Sequence, residues 1–120
     1  MSESEIFIQT SFAVRDAEEF RRLAGIFTER VEALPGLLRY EHYLDDGGTT
    51  GASLGHYADS DACIAHRRSA EQELWDEIYA ICTVTAVNIF GVPTPALVED
   101  LADYDITWFG APVSALPPRT

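Results

Sequence analysis

Residues 35–68 constrain the fold of this chain more than any other stretch. Segments 37–44 and 52–57 have the apolar and aromatic composition of strands. Segment 45–51 between them is rich in aspartate and glycine, which accept turn dihedrals that other residues resist. Asp59 then offers a side-chain acceptor for the free amides at the start of a helix. The stretch therefore predicts a β-hairpin that leads directly into a helix.

Hydrophobic periodicity places further elements on both sides of this hairpin. Alternation predicts a strand over 6–14, and apolar residues at helical spacing predict a helix over 16–34. A second helical region, 60–81, is expected to break near Ser69, and the β-branched run 83–90 predicts another strand. A short helix and a short strand follow. This order is that of the ferredoxin-like split βαβ arrangement, so the predicted class is α+β with an antiparallel sheet.

A single domain over 1–110, followed by a tail at 111–120, is expected. With 120 residues the chain has the length of one domain with one core. The helices should cover one face of the sheet, and the other face carries aliphatic and aromatic side chains too apolar to leave in water. We therefore expect a homodimer in which two sheets face each other.

Charge and composition exclude several partners and chemistries. The formal net charge is −12, and all eight basic residues are arginines. Such a surface repels nucleic acid and anionic membranes, so neither is an expected partner. Without lysine, Schiff-base chemistry on the protein's own lysine is impossible. No apolar run approaches the roughly 20 residues of a membrane helix, and the first five residues are acidic rather than basic, so a cytoplasmic protein is expected.

No cofactor or metal site is indicated. The sequence has no pair of histidines at helical spacing and no Cys-x-x-Cys. Gly47-Gly48 lies inside the predicted hairpin and not before a helix, so it is no phosphate-binding loop. Cys63 and Cys82 are expected to be buried thiols. Neither a metal, a flavin nor a nicotinamide is therefore expected.

Three stretches resemble the antibiotic biosynthesis monooxygenase superfamily: 34–36 (Leu-Pro-Gly), 37–41 (Leu-Leu-Arg-Tyr-Glu) and 57–66, which runs from Tyr-Ala-Asp-Ser-Asp-Ala to Ala-His. The resemblance covers about residues 6–90. Members of that family are dimeric α+β barrels, and they include cofactor-free oxygenases of polycyclic or quinol substrates, heme-degrading enzymes and members without known activity. The resemblance implies the barrel fold, a homodimer and a small aromatic or polyketide-like substrate.

The resemblance also implies a site on the helix that covers the pocket. His66 would lie there and act as a general base on a phenol or enol, since imidazole titrates near neutrality. The second expected catalytic residue is Tyr57. The expected substrate-binding residues are Tyr43, Ser53, Trp75, Tyr79 and Asn88. Each assignment has an alternative. His66 could instead be a hydrogen-bonded residue at a helix break, and the aromatic residues could serve core packing. Asn88 could make a structural hydrogen bond.

The leading hypothesis is a cofactor-independent monooxygenase that acts on an aromatic, polyketide-like or quinol substrate. Such an enzyme needs only to bind, desolvate and deprotonate a substrate whose carbanion itself reduces dioxygen. Two alternatives stay open. One is a non-oxidative cyclase or isomerase that uses the same base, and the other is a binding protein with an aromatic pocket and no turnover.

A final prediction concerns His42 and His56. If the hairpin closes around Thr49, these two residues lie opposite each other, on the face away from Tyr57 and towards the partner sheet. Two imidazoles at a buried interface would resist protonation, and their pKa values would fall below about 6.5. A two-histidine metal site is the competing interpretation, for which no third ligand is evident.

Overall fold

The computed structural model describes residues 4–117 as one sheet with helices on one face. The strands are β1 (Ile6–Val14), β2 (Leu37–Leu44), β3 (Thr50–Tyr57), β4 (Cys82–Phe90) and β5 (Thr107–Trp108). The helices are α1 (Ala17–Val31), α2 (Ser60–Ser69), α3 (Gln72–Ile81) and α4 (Pro95–Asp100). None of the helices in this part of the chain is long and apolar enough to cross a membrane.

The strand order is β2-β3-β1-β4-β5, which confirms the ferredoxin-like α+β fold. Strands β1 to β4 pair antiparallel, as predicted, but β5 runs parallel to β4. The sheet is therefore mixed, because α4 supplies the crossover connection that a parallel pair requires. In the described part of the tail, 111–117, there is no helix or strand. The predicted domain and tail limits extend into 1–3 and 118–120, which lie outside the described residues.

Local signals determine where the helices begin and end. Asp16 precedes α1, and its Oδ1 accepts a hydrogen bond of 3.1 Å from the Glu19 amide, which satisfies a free amide of the first turn. The helix ends at Val31, three residues before the predicted end at 34. Gly36 then turns the chain with a φ of +80°, which disfavours other residues. The second helical region breaks after Ser69, as predicted, and resumes at Gln72.

The core consists of two groups of buried side chains beneath the helices. The first group lies under α1 and α3 and comprises Val14, Phe20, Leu23, Ala24, Phe27, Leu74, Ile78 and Cys82. The second lies mainly under α2 and α4 and comprises Ile6, Tyr57, Ala62, Cys63, Ile89, Leu97 and Leu101. Burial of each large apolar side chain stabilises the fold by about 1.5–3 kcal/mol. Both cysteines are buried free thiols, as predicted.

The register of the hairpin differs from the predicted one. His42 pairs with Ser53 and not with His56. The loop closes early because Oδ1 of Asp45 accepts hydrogen bonds from the amides of Thr49 and Thr50 (3.0 and 3.1 Å), so that Thr50 already belongs to β3. A separate register shift between Leu37 and Arg39 lies at the far end of the hairpin and changes only the pairing of Leu37. The predicted pair of histidines on the outer face is therefore wrong.

The face of the sheet away from the helices, here called the open face, carries a row of apolar side chains. Phe7 stacks on His56 with ring centroids 4.1 Å apart, and Phe90 stacks on Phe109 at 4.7 Å. Leu54 and Phe90 remain 39% and 37% exposed. The open face is only partly apolar, because Gln9, Glu41 and Asn88 lie on it as well. The homodimer across it stays a prediction.

Candidate functional site

A cavity of about 160 Å³ lies between the sheet and the helices. Most of its wall is apolar or aromatic. The residues with polar groups in the wall are Thr10, Tyr40, His42, Ser53, Tyr57, His66, Arg67, Trp75, Tyr79 and Tyr104. No acidic residue in 4–117 lines it, and no three His, Cys, Asp or Glu side chains in that range are grouped to hold a metal ion. An apolar cavity of about 150 Å³ accommodates benzene, so this one holds a group the size of one ring.

His66 and Tyr57 form a hydrogen-bonded pair in this cavity. The Tyr57 hydroxyl lies 2.6 Å from Nδ1 of His66, and the two residues are only 4% and 8% exposed. Asp59 sets the start of α2, because its Oδ1 accepts a 2.8 Å hydrogen bond from the Ala62 amide, and this start carries His66 to the cavity one to two turns later. Gly55, which has no side chain, leaves room for the Tyr57 ring. A Cβ on Gly55 would lie 2.7 Å from the Tyr57 hydroxyl oxygen.

Burial keeps both members of the pair neutral. It lowers the pKa of His66 to about 4, with a smaller contribution from nearby His42, and raises the pKa of Tyr57 well above its usual value of 10. One arrangement has the Tyr57 hydroxyl donate to Nδ1, which leaves an N–H at Nε2 of His66. In the other, Nδ1–H donates to the tyrosine oxygen, and Nε2 is a free acceptor beside a free O–H. The second arrangement offers a base and an acid side by side.

Tyr40 and His42 also line the cavity, and the sequence did not identify either as a site residue. The Tyr40 ring lies edge-on to both imidazoles, with centroids 4.7 Å from His42 and 4.5 Å from His66. Burial lowers the pKa of His42 to about 4 and raises the pKa of Tyr40. Alternation indicated that Tyr40 and His42 share a face of β2. Only the register determined that this is the cavity face.

The structure brings five of the seven predicted site residues into the cavity wall: Ser53, Tyr57, His66, Trp75 and Tyr79. Their roles in binding or catalysis stay predictions.

The other two, Tyr43 and Asn88, lie on the open face, so their predicted contact with a ligand in this cavity is wrong. Tyr43 is 47% exposed, and its hydroxyl donates to Glu41 at 2.9 Å. The Asn88 amide donates to Gln9 at 3.3 Å across the β1–β4 pair. Both side chains point away because alternation gives the cavity face to their neighbours His42 and Ile89.

The cavity opens to solvent where α3, β4 and the segment after α4 meet. Tyr79, Val84 and Tyr104 belong to the wall and are nevertheless 45%, 37% and 46% exposed. Arg67 lies at the same end and donates from Nη1 to the Tyr104 hydroxyl at 2.9 Å. We call this set of four residues the mouth. A ligand larger than one ring must extend through it.

No family model matches the sequence, and no curated protein sequence matches it. Several solved structures have a similar fold, and three of them are described here. MupZ from Pseudomonas fluorescens is 20% identical with a TM-score of 0.85 over 96% of each chain. SnoaB from Streptomyces nogalater, described as a cofactor-independent oxygenase, is 17% identical with a TM-score of 0.62 over 76% of this chain and 95% of that one. Rv0793 from Mycobacterium tuberculosis is 22% identical with a TM-score of 0.64 over 78% and 99%. Identities this low establish the fold alone.

The imidazoles of buried His66 and half-buried His42 predict a loss of stability in mild acid. Their pKa values are about 4 in the folded chain and about 6.5 when unfolded, so only the unfolded chain gains protons as the pH falls from 6.5 to 4. The free energy of unfolding should fall by on the order of 3 kcal/mol for His66 alone. Urea unfolding at pH 7.5, 6.5, 5.5 and 4.5 measures this.

A His66→Gln variant should have a shallower pH dependence in the same window. Paired carboxylates such as Asp100, whose pKa the bound arginines hold below its usual 3.8, lose their contribution mainly below pH 4. A wild-type stability that stays constant from pH 6.5 to 4.5 would contradict the neutral, buried state of these histidines.

Proposed function

We propose that this protein is a small-molecule tailoring enzyme of the antibiotic biosynthesis monooxygenase type, and that it oxygenates an electron-rich aromatic or enolisable substrate without a bound cofactor. The observation that carries the proposal is the 2.6 Å contact between the Tyr57 hydroxyl and Nδ1 of His66 inside an apolar cavity. The similarity in fold to SnoaB, described as a cofactor-independent oxygenase, supports it.

In the proposed reaction the substrate places an acidic C–H or O–H at Nε2 of His66. The imidazole takes the proton, and the developing enolate oxygen accepts a hydrogen bond from a neutral hydroxyl such as that of Tyr57. The carbanion gives one electron to dioxygen, the two radicals combine to a peroxide anion, and this anion takes the proton back from the His66 imidazolium to become a hydroperoxide. For a ring CH₂ group, loss of water from the hydroperoxide leaves a C=O group, so one oxygen atom enters the product and the other leaves as water.

The low pKa of His66 is compatible with this role because it applies to the cavity without substrate. An enolate next to the imidazolium stabilises the positive charge. Because no acidic residue in 4–117 lines the cavity, that enolate is the partner of the imidazolium. The same wall excludes water, which strengthens the attraction. We infer that proton transfer and binding are coupled: the base becomes strong only when the substrate fills the cavity.

A second candidate is a non-oxidative cyclase or isomerase. The observation that favours it is the row His42–Tyr40–His66, in which two neutral imidazoles flank one protonated phenol. Such a row can remove a proton at one side of a substrate and return one at the other. Dioxygen would have no part in this reaction.

Two measurements test the proposal and separate the candidates. Protein dialysed against EDTA is incubated with anthrone or a naphthohydroquinone, and oxygen uptake above autoxidation is recorded together with ¹⁸O incorporation from ¹⁸O₂. In parallel, deuterium exchange at the acidic C–H of anthrone is followed anaerobically in D₂O. Oxygen uptake with ¹⁸O in the ketone supports the oxygenase. Deuterium exchange without oxygen uptake favours the cyclase or isomerase. Binding of the compound with neither exchange nor oxygen uptake refutes both enzymes and leaves a binding protein.

The proposal includes a homodimer in the cytoplasm, formed through the open face. The exposed rings of Phe90 and Phe109 and the side chain of Leu54 favour coverage by a second copy. The charge of −12 argues against nucleic acid or an anionic membrane as the partner. Sedimentation equilibrium at micromolar concentration tests this part, and a monomer there would contradict it.

A further inference from the structure

Arg67 is the only charged residue in the described part of the cavity wall. Its Nε donates to Oδ2 of Asp100 at 2.8 Å, and its guanidinium carbon lies 5.0 Å from the centre of the Tyr104 ring. Arg68 donates to Oδ1 of the same aspartate at 2.8 Å. Two arginines thus share one carboxylate, and the cluster keeps one positive charge in a protein of net charge −12.

The guanidinium retains donors for a ligand. Arg67 uses Nε for Asp100, Nη1 for the Tyr104 hydroxyl, and Nη2 for a long contact of 3.4 Å to the Asp100 carbonyl. A guanidinium has five N–H groups, so two remain beyond these three contacts. The side chain is 33% exposed, which leaves it accessible from both the cavity and the solvent.

Tyr79 adds a second donor at the mouth. Its ring stacks on Trp75 with centroids 6.0 Å apart, and its hydroxyl makes no hydrogen bond to another residue within 4–117. Burial and the neighbouring Tyr104 raise the pKa of Tyr79, so the hydroxyl is protonated, while the charge of Arg67 is close enough to act on it in the opposite direction. A phenol and a guanidinium therefore both line the outer end of the apolar cavity.

We propose that the mouth is a carboxylate subsite, at which Arg67 and the Tyr79 hydroxyl bind the acid group of a substrate whose ring-sized apolar part fills the cavity. Substrates would be aromatic acids with a short chain between ring and carboxylate. A paired arginine and hydroxyl suit a carboxylate because charge-assisted hydrogen bonds to a planar oxygen pair are strong. The inference rests on the cavity being the substrate site of the proposed function, but its test measures binding and not turnover.

The test compares acids with their amides. Dissociation constants of 3-phenylpropanoate and 4-phenylbutanoate, and of the two primary amides, are measured by calorimetry at pH 7.5. For the chain length that fits, the wild type should bind the acid at least fivefold more tightly than the amide. Arg67→Gln should weaken the binding of the acid about 10-fold or more and the binding of the amide less than about twofold. Tyr79→Phe should lower the acid-to-amide ratio by about threefold.

Arg68→Gln is the matched control, because Arg68 also binds Asp100 but does not line the cavity, and its variant should keep the wild-type ratio. Arg67→Lys keeps the positive charge but lacks the paired planar donors of a guanidinium. Its acid-to-amide ratio should lie between those of the wild type and Arg67→Gln. Thermal unfolding of each variant shows whether a loss of binding follows a loss of fold. Equal binding of acid and amide by the wild type, or equal effects of the two glutamine variants, would overturn the subsite.

A variant of the proposed base separates this inference from the proposed function. His66→Gln should lower turnover by roughly 100-fold or more and leave the acid-to-amide ratio within about twofold of wild type. If the ratio holds while no substrate is turned over by the wild type, the subsite stands and the proposed reaction fails. If turnover occurs but the ratio is one, the reaction stands and the subsite fails.

Discussion

Replacement of His66 by alanine is expected to lower turnover by roughly 100-fold or more, because the change removes the group that would accept the substrate's proton. Tyr57→Phe removes only the hydroxyl that lies 2.6 Å from Nδ1 and should cost a comparable factor. Initial rates of oxygen uptake or of deuterium exchange at saturating substrate measure both variants. The double variant should be little slower than either single one, since the two residues act as a unit.

His56→Ala is the control for this experiment, since His56 lies on the open face, bonds Glu5 at 2.8 Å and is not part of the cavity wall. Its turnover should stay within about twofold of wild type. Circular dichroism confirms that each variant is folded. A His66→Ala protein as active as His56→Ala would remove His66 from the mechanism, and effects that simply multiply in the double variant would show that the pair does not work together.

Replacement of Gly91 by alanine is expected to destabilise the fold by about 3 kcal/mol or more. Gly91 has a φ of +114°, and a Cβ there would lie 2.4 Å from the carbonyl oxygen of Glu5 and 3.3 Å from Cδ1 of Ile6. The first of these is a backbone atom next to the start of β1, so it cannot move without displacing that strand. Urea unfolding at one fixed protein concentration measures the loss.

Gly110 provides a closely matched control. Its carbonyl accepts the hydrogen bond of 2.8 Å from the Gly91 amide, and its own φ is +66°, yet a Cβ there would meet nothing within 4 Å. The free energy of unfolding of Gly110→Ala should therefore fall only by the strain of a positive φ in alanine, about 1 kcal/mol. Equal losses in the two variants would contradict the close approach between Gly91 and the backbone of Glu5.

Most of the fold could be predicted from the sequence because it depends on local signals. Asp16 and Asp59 start helices through their own side chains, and Thr94 does the same for α4 by accepting from the Leu97 amide at 3.3 Å. The break after Ser69 and the order of strands and helices also followed from short-range patterns. The parallel direction of β5 did not, since periodicity gives a strand its faces but not its direction.

The site residues on β3, α2 and α3 were predicted, whereas those assigned to β2 and β4 lie on the other face of the sheet. The resemblance to the monooxygenase superfamily placed His66 on the helix that covers the cavity, and the Asp59 cap fixes where that helix begins. Tyr43 and His42 are neighbours on β2, and a change of register exchanges their faces. The sequence chose the wrong face for both. Arg67 and Tyr104 could not be connected from the sequence, because 37 residues separate them and no local pattern links α2 to the segment after α4.

The sequence by itself determined the α+β class and the caps and breaks of the helices, because each of these follows from a hydrophobic period or from a side chain that bonds its own near neighbours. The resemblance to the monooxygenase superfamily, and not a local pattern, pointed to Tyr57 and His66, which meet in the cavity. Only the tertiary structure decided which face of β2 borders the cavity and which residues surround the mouth. Those outcomes depend on how the Asp45 loop closes and on contacts between distant segments, where one residue of register exchanges the faces of a whole strand.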